Sequence, residues 1–142
     1  MHEVYCTEKG DTYVDYQIVY YTASSHTLKA LASLTHFDKV EGLTLDYLEG
    51  YDFDSIYPNF SKLSFASKGI YDDGDYFTVF ARFDDLDVKG NLQQLHDNGI
   101  LELVDRNSES VSADSLINIM EKAGAQKISI AEYEKLGLTK YL

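Results

Sequence analysis

The sequence predicts a single α+β domain over residues 1–142, with a mainly antiparallel β-sheet and three or four short helices. Strand-like segments rich in tyrosine and β-branched residues come in pairs, and glycine-containing turns join them. Helical segments are interspersed without the regular alternation that builds a parallel sheet. A chain of 142 residues without an internal repeat or a low-complexity linker is typical of one domain with a buried core.

The first predicted hairpin pairs residues 3–7 with residues 12–22. Gly10 lies in the turn, where glycine suits the positive φ of a tight hairpin. Cys6, the one cysteine, falls in the first strand and is expected to be half-buried. It has no partner for an internal disulfide, which is typical of a reducing compartment.

The segment after this hairpin is predicted to be helical. Ser24 or Ser25 is the expected cap, and the helix runs to about Phe37, because apolar residues recur at helical spacing. These residues are Leu28, Leu31, Leu34 and Phe37. The alternation in 43–47 then predicts a strand, with a short helix before Gly50 as the alternative.

A second hairpin is predicted over residues 62–71 and 75–83, with its turn at Asp72-Asp73-Gly74. The face of the second strand that carries Phe77, Val79 and Phe83 is expected to point inward. Four elements follow: a helix over Asn91–Asp97, a strand over Ile100–Val104, a helix capped by Ser112 or Asp114 and ended at Gly124, and a short strand over 128–130. Ser129 and Glu132 have capping-box spacing for a final helical turn.

Negative charge is concentrated in the middle of the chain. The net charge is −12, and the stretch from Glu41 to Asp87 contains eleven acidic residues against three basic ones, a balance of −8. Eleven aromatic residues in the same stretch argue against disorder. Such a field repels nucleic acid and anionic membranes and attracts basic protein surfaces.

The segment Tyr51-Asp52-Phe53-Asp54 suggests how the acids are displayed. If its backbone is extended, the rings lie on one face and the carboxylates on the other. Carboxylates about 6.8 Å apart could then stand in for every second phosphate of a DNA strand. The alternative is a sheet with one wet, acidic face.

Catalytic motifs are weak, so we expect no enzyme, no cofactor and no metal. The histidines lack metal-ligand spacing; they are His2, His26, His36 and His96. The acids of 72–75 do not follow the EF-hand pattern. Asp75 followed by Asp87-Val88-Lys89 resembles a metal-dependent nuclease, but the match is short and lacks a preceding proline.

These features favour a small acidic, non-enzymatic inhibitor that binds a basic surface of a nucleic-acid-handling protein. In acidity, size and lack of catalytic motifs, the chain is similar in type to phage-encoded DNA-mimicking anti-restriction and anti-CRISPR inhibitors, although no motif of such a family is present. The expected partner-binding residues are Asp46, Glu49, Tyr51, Asp52, Asp54, Tyr57, Tyr71, Asp72, Asp73 and Asp75. Tyr51, Tyr57 or Tyr71 is expected to be exposed and to provide a rigid anchor.

Three alternatives remain at this point. An immunity protein against a cationic nuclease toxin would follow the same electrostatic logic. The tyrosine-rich strands could instead line a pocket for a small ligand such as a nucleotide signal, and a viral assembly protein is a third reading. We expect a cytoplasmic location, in the host if the protein is phage-encoded, because the N-terminus lacks a basic region followed by an apolar run.

Overall fold

A six-stranded antiparallel sheet forms the centre of the computed structural model, which describes residues 1–103 and 105–142. The strand order is β4-β5-β3-β2-β1-β6. The strands are β1 (His2–Lys9), β2 (Tyr13–Tyr21), β3 (Leu28–Asp38), β4 (Ala66–Asp72), β5 (Tyr76–Phe83) and β6 (Gln126–Ile128). The predicted α+β class with a mainly antiparallel sheet is confirmed.

Five short α-helices occur in the described part of the chain, one more than the upper expectation. They are α1 (Leu45–Glu49), α2 (Phe53–Ile56), α3 (Asn91–Asp97), α4 (Ala113–Lys122) and α5 (Ile130–Lys135). Two 3-10 turns, Phe60–Lys62 and Leu138–Tyr141, complete the fold. None of the helices in the described residues has the length and apolar character needed to cross a bilayer.

Both predicted hairpins are confirmed, β1 with β2 and β4 with β5. Gly74 has φ 84° in the second turn, a conformation that glycine adopts without strain. Gly10 does not have the positive φ that was predicted; a β-carbon there would instead overlap the Tyr13 ring unless that ring shifted. Cys6 is half-buried, as expected.

The helix predicted to run to Phe37 is wrong, because residues 28–38 form β3. Alternate residues of β3 are buried, from Leu28 through Leu34 to His36. Leu34 packs on one face of the sheet, whereas Leu28, Leu31 and Phe37 pack on the other. A central strand that is covered on both faces carries apolar residues on each, so its period of two is obscured and a three-residue spacing arises by coincidence.

Three predictions of strand or extended backbone also differ from the structure. Residues 45–49 form α1, the helical alternative, with Thr44 as N-cap and Gly50 at the C-terminal end. The extended backbone predicted for 51–54 is replaced by the start of α2. Ile100 and Leu101 lie in a loop packed on the core rather than in a strand, and Val104, the end of that predicted strand, lies outside the described residues.

The C-terminal helix predictions are confirmed. The helix over Asn91–Asp97 is α3, and Ser112 caps α4 by accepting a hydrogen bond from the Ser115 backbone N–H. Ser129 caps α5 in the same way, from the Glu132 backbone N–H. The last strand, β6, ends at Ile128 instead of beginning there.

The sheet is covered on both faces by different parts of the chain. On the first face, Val19, Val79 and Phe83 of the strands pack with buried residues of α1 to α4. On the second face, Ile18 and Leu34 pack with the C-terminal segment. The covering residues there are Tyr133, Leu138 and Tyr141. The inward orientation predicted for Phe77, Val79 and Phe83 is confirmed.

Candidate partner-binding surface

The helices α1 and α2 carry the first group of predicted binding residues. Leu48 of α1 and Phe53 of α2 are both buried in the first-face core. Because these residues point inward, the opposite side of each short helix faces solvent, where Asp46 and Glu49 are exposed. Leu48 and Phe53 therefore fix this acidic segment to the core.

The acids of this segment have no basic neighbour in sequence. Residues 40–61 contain five acids and no lysine, arginine or histidine. Asp46, Glu49, Asp52 and Asp54 are all exposed. We call these four residues, together with the exposed side chains between them, the α1–α2 acidic surface.

Two of the four carboxylates also shape the backbone. Asp52 accepts a hydrogen bond from the Asp54 backbone N–H at 3.1 Å and so caps α2. Asp54 accepts one from the Ser61 backbone N–H at 2.7 Å, which lowers the pKa of the Asp54 carboxyl. Because Asp52 begins a helix, its side chain and that of Asp54 do not have the strand spacing that would imitate alternate phosphates.

The sequence prediction missed the apolar part of this surface. Tyr47 is 73% exposed and Ile56 is 48% exposed, and both belong to the segment that carries these carboxylates. The strand prediction for 43–47 placed Tyr47 on the same face as Leu45, and so it gave no reason to expect that Tyr47 is exposed. With a helical period, the burial of Leu48 would have placed Tyr47 outside.

The expected exposure of Tyr51 and Tyr57 is wrong, since both rings pack against the core. The Tyr51 ring lies with its centroid 5.0 Å from that of Phe53, and the Tyr57 ring lies 5.3 Å from that of Phe83. Burial raises the pKa of both phenols. Tyr71, by contrast, is 43% exposed on β4.

The remaining predicted acids lie in the turn between β4 and β5, where they differ in their partners. Asp72 accepts a hydrogen bond from Lys39 Nζ at 2.7 Å, and this contact lowers the pKa of its carboxyl. Asp75 is exposed. Asp72 ends β4, the edge strand of the sheet against which α1 also packs.

Asp73 is engaged within the fold. Its side chain is 9% exposed and accepts hydrogen bonds from Thr78 Oγ1, Lys140 Nζ and, at 2.5 Å, Tyr141 Oη. Burial by itself would raise the pKa of Asp73, but these donors outweigh it and hold the pKa below its usual value. Asp73 thus ties the second hairpin to the C-terminus and presents little charge to solvent.

Within residues 1–103 and 105–142, no three side chains of histidine, cysteine, aspartate or glutamate come together in a group that could hold a metal ion. Asp75 is exposed in the turn before β5, whereas Asp87 follows the opposite end of that strand. The pattern of a metal-dependent nuclease therefore has no corresponding cluster in the described residues.

The sheet with short helices on one face and a C-terminal cover on the other defines the chain as an α+β protein. No protein-family model matches it, and no curated protein matches it. Among solved structures, it is similar to the NMR structure of a protein from Streptococcus pneumoniae TIGR4, with 15% identity and a TM-score of 0.54. The match covers 90% of this chain and 84% of that chain, and it shows the fold alone.

Proposed function

We propose that this protein is a small non-enzymatic inhibitor that binds a basic surface of a nucleic-acid-handling protein. One observation carries the proposal: Tyr47 and Ile56 are exposed in the same segment as four exposed carboxylates, on helices held in place by buried residues. Interfaces combine aromatic anchors with complementary charge in this way. The nearest type of inhibitor is the acidic anti-restriction or anti-CRISPR protein, without the regular phosphate-like spacing of a DNA mimic.

The two parts of the surface have different tasks. The carboxylates attract a basic partner and speed its association, an effect that salt weakens. Tyr47 has only two side-chain torsions to order, so it can supply contact area at a low entropic cost. A protein with net charge −12 will also attract basic proteins non-specifically, so an experiment must separate this surface from the total charge.

The test is a pull-down from cell extract at low and high salt, followed by nuclease assays of the captured protein. The patch variant carries Asp46→Asn, Glu49→Gln, Asp52→Asn and Asp54→Asn. Asparagine at 52 and 54 keeps an oxygen for the cap of α2 and for the Ser61 backbone N–H, so the fold is retained. We expect the wild type to capture and inhibit a nuclease at low salt, and the patch variant to lose it.

A matched control removes the same amount of charge elsewhere. Amide substitutions of Asp11, Glu109, Glu121 and Glu134, all exposed, should leave capture intact. Tyr47→Ala should weaken binding without changing its salt dependence. Equal loss in both charge variants would show that only net charge matters, and full retention by the patch variant would contradict the proposal. A captured toxin nuclease would assign the chain to the immunity class.

A further inference from the structure

A cavity of about 390 Å³ opens on the second face of the sheet, beside β6 and α5. Its apolar walls include Val14, Ile128 and Leu136, and its aromatic walls are Tyr16, His36 and Tyr76. This volume lies in the range of small-molecule pockets, which are mostly apolar with a few polar groups that orient the ligand. The α1–α2 acidic surface belongs to the first face, so the two features are separate.

His36 is the polar residue of the cavity wall that is buried. The residue is 4% exposed, and its Nε2 atom has no hydrogen-bond partner among the described residues. Its ring is stacked on Tyr76 at 4.6 Å, with Tyr16 edge-on at 5.4 Å. Buried polar atoms in proteins nearly always have a partner. The Nε2 atom is enclosed by neighbouring residues, but the His36 ring lines the cavity, so a polar group that enters the cavity can pair with the imidazole.

The charged residues that line the cavity favour an uncharged ligand. Burial lowers the pKa of the imidazole, which is therefore neutral at pH 7 and offers one donor and one acceptor. Lys9 and Lys127 at the cavity are balanced by Asp38 and Glu132. The Lys127 ammonium is also engaged, 3.1 Å from a carboxylate oxygen of Glu3 on β1. A phosphate group would find little free positive charge here.

We propose that this cavity binds a small, uncharged, planar heteroaromatic molecule. Its ring packs against Tyr16 and Tyr76, and one of its polar atoms pairs with the imidazole of His36. The ring contacts follow from the aromatic walls, since stacked and edge-on geometries are both favourable for aromatic groups. This site does not depend on the proposed inhibitor function, because it uses different residues on the opposite face.

The first measurement is an NMR titration of the wild-type protein with adenine, nicotinamide, indole and AMP. AMP shares its ring with adenine but adds a phosphate. We expect at least one uncharged ring to shift the aromatic signals of His36, Tyr16 and Tyr76, and we expect AMP to bind more weakly than adenine. Cys6 also lines the cavity and is the single cysteine, so a bound ring should slow its alkylation by iodoacetamide.

The variant His36→Phe keeps an aromatic ring against Tyr76 and removes the unpaired nitrogen, so it should fold at least as stably as the wild type. Affinity for the ring should fall about tenfold, the effect of one lost hydrogen bond. Ile119→Ala, an exposed change on α4, is the control and should leave affinity unchanged. Alkylation of Cys6 in the wild type tests the same site without any substitution, and it should abolish binding.

Three results would overturn the proposal. The first is that none of the uncharged rings shifts the His36, Tyr16 and Tyr76 signals or protects Cys6. The second is that AMP binds as tightly as adenine, which contradicts an uncharged ligand class. The third is that folded His36→Phe, or the alkylated wild type, binds the ring as well as the unmodified protein.

Discussion

Two aspartates show how the same side chain acquires opposite properties from its surroundings. Asp73 accepts hydrogen bonds from three donors, and its pKa is lowered despite its burial. Asp15 on β2 is half-buried and its pKa is raised, mainly because burial disfavours its charge, although Thr35 donates a hydrogen bond to it at 2.5 Å. Asp73 therefore stabilises the fold when it is charged, whereas ionisation of Asp15 destabilises it.

We predict that Asp73→Asn lowers the free energy of unfolding at pH 7 by about 1–3 kcal/mol, because it weakens hydrogen bonds to a charged acceptor. The contribution of Asp73 is present above the ordinary carboxyl pKa of 3.8 and is lost as the pH falls through the lowered value. The difference from the wild type should thus shrink in acid. Urea unfolding at pH 7 and at acidic pH measures both effects.

Two matched variants make this experiment specific. Asp75→Asn changes the same charge in the same turn at an exposed position, and it should alter stability by no more than about 0.5 kcal/mol. Asp15→Asn should have the opposite sign from Asp73→Asn and stabilise the protein at pH 7. If Asp73→Asn and Asp75→Asn changed the free energy of unfolding equally, the hydrogen bonds to Asp73 would not stabilise the fold as described.

Among the elements, the C-terminal segment from α5 to the 3-10 turn decides whether the second face is buried. Tyr133, Leu138 and Tyr141 of this segment pack on strand residues that are far away in sequence. Without this cover, Ile18 and Leu34 would be exposed on a sheet whose two faces are both apolar. The segment also forms one side of the cavity at His36, through Glu132 and Leu136.

We predict that Leu138→Ala destabilises the protein by about 2–5 kcal/mol, because Leu138 is fully buried in the second-face core. Thr139→Ala, its exposed neighbour, is the control and should change stability by no more than about 0.5 kcal/mol. Denaturant unfolding of both variants gives the comparison. A small effect of Leu138→Ala would mean that the segment is not packed on the sheet.

At the scale of the whole molecule, the net charge of −12 opposes the compact state through self-repulsion. The ion pairs among the described residues are mostly exposed, such as Lys39 with Asp72, and pairs of this kind contribute about 0–1 kcal/mol. Repulsion among the unpaired carboxylates should therefore outweigh attraction. Salt acts on this balance because it screens exposed charges.

We predict that the urea midpoint of unfolding rises when NaCl is increased from about 0.01 M to about 0.15 M, which shortens the screening length from about 30 Å to about 8 Å. The patch variant, with four fewer negative charges, should show a smaller rise. Urea unfolding curves of both proteins at the two salt concentrations measure the change in midpoint. A lower midpoint in salt would show that the ion pairs dominate the balance.

Short sequence patterns correctly predicted those features that depend only on neighbouring residues, namely turns and helix caps. Glycine-containing turns marked both hairpins, and Ser112 and Ser129 marked the starts of α4 and α5, because a cap needs only residues two or three positions away. The composition alone established the negative charge and its concentration in the middle of the chain. These properties do not depend on how distant segments meet.

Contacts between residues far apart in sequence decided the features that the sequence did not predict. Residues 28–38 are a strand because they lie between β2 and β5 with both faces covered, and this environment cannot be read from their own spacing. Asp73 is paired because Lys140, 67 positions away, reaches it, and Tyr47 is exposed because Leu48 is buried in the core. Which acids are free, and which imidazole lacks a partner, follow from tertiary packing, because burial and pairing are properties of residues brought together by the fold.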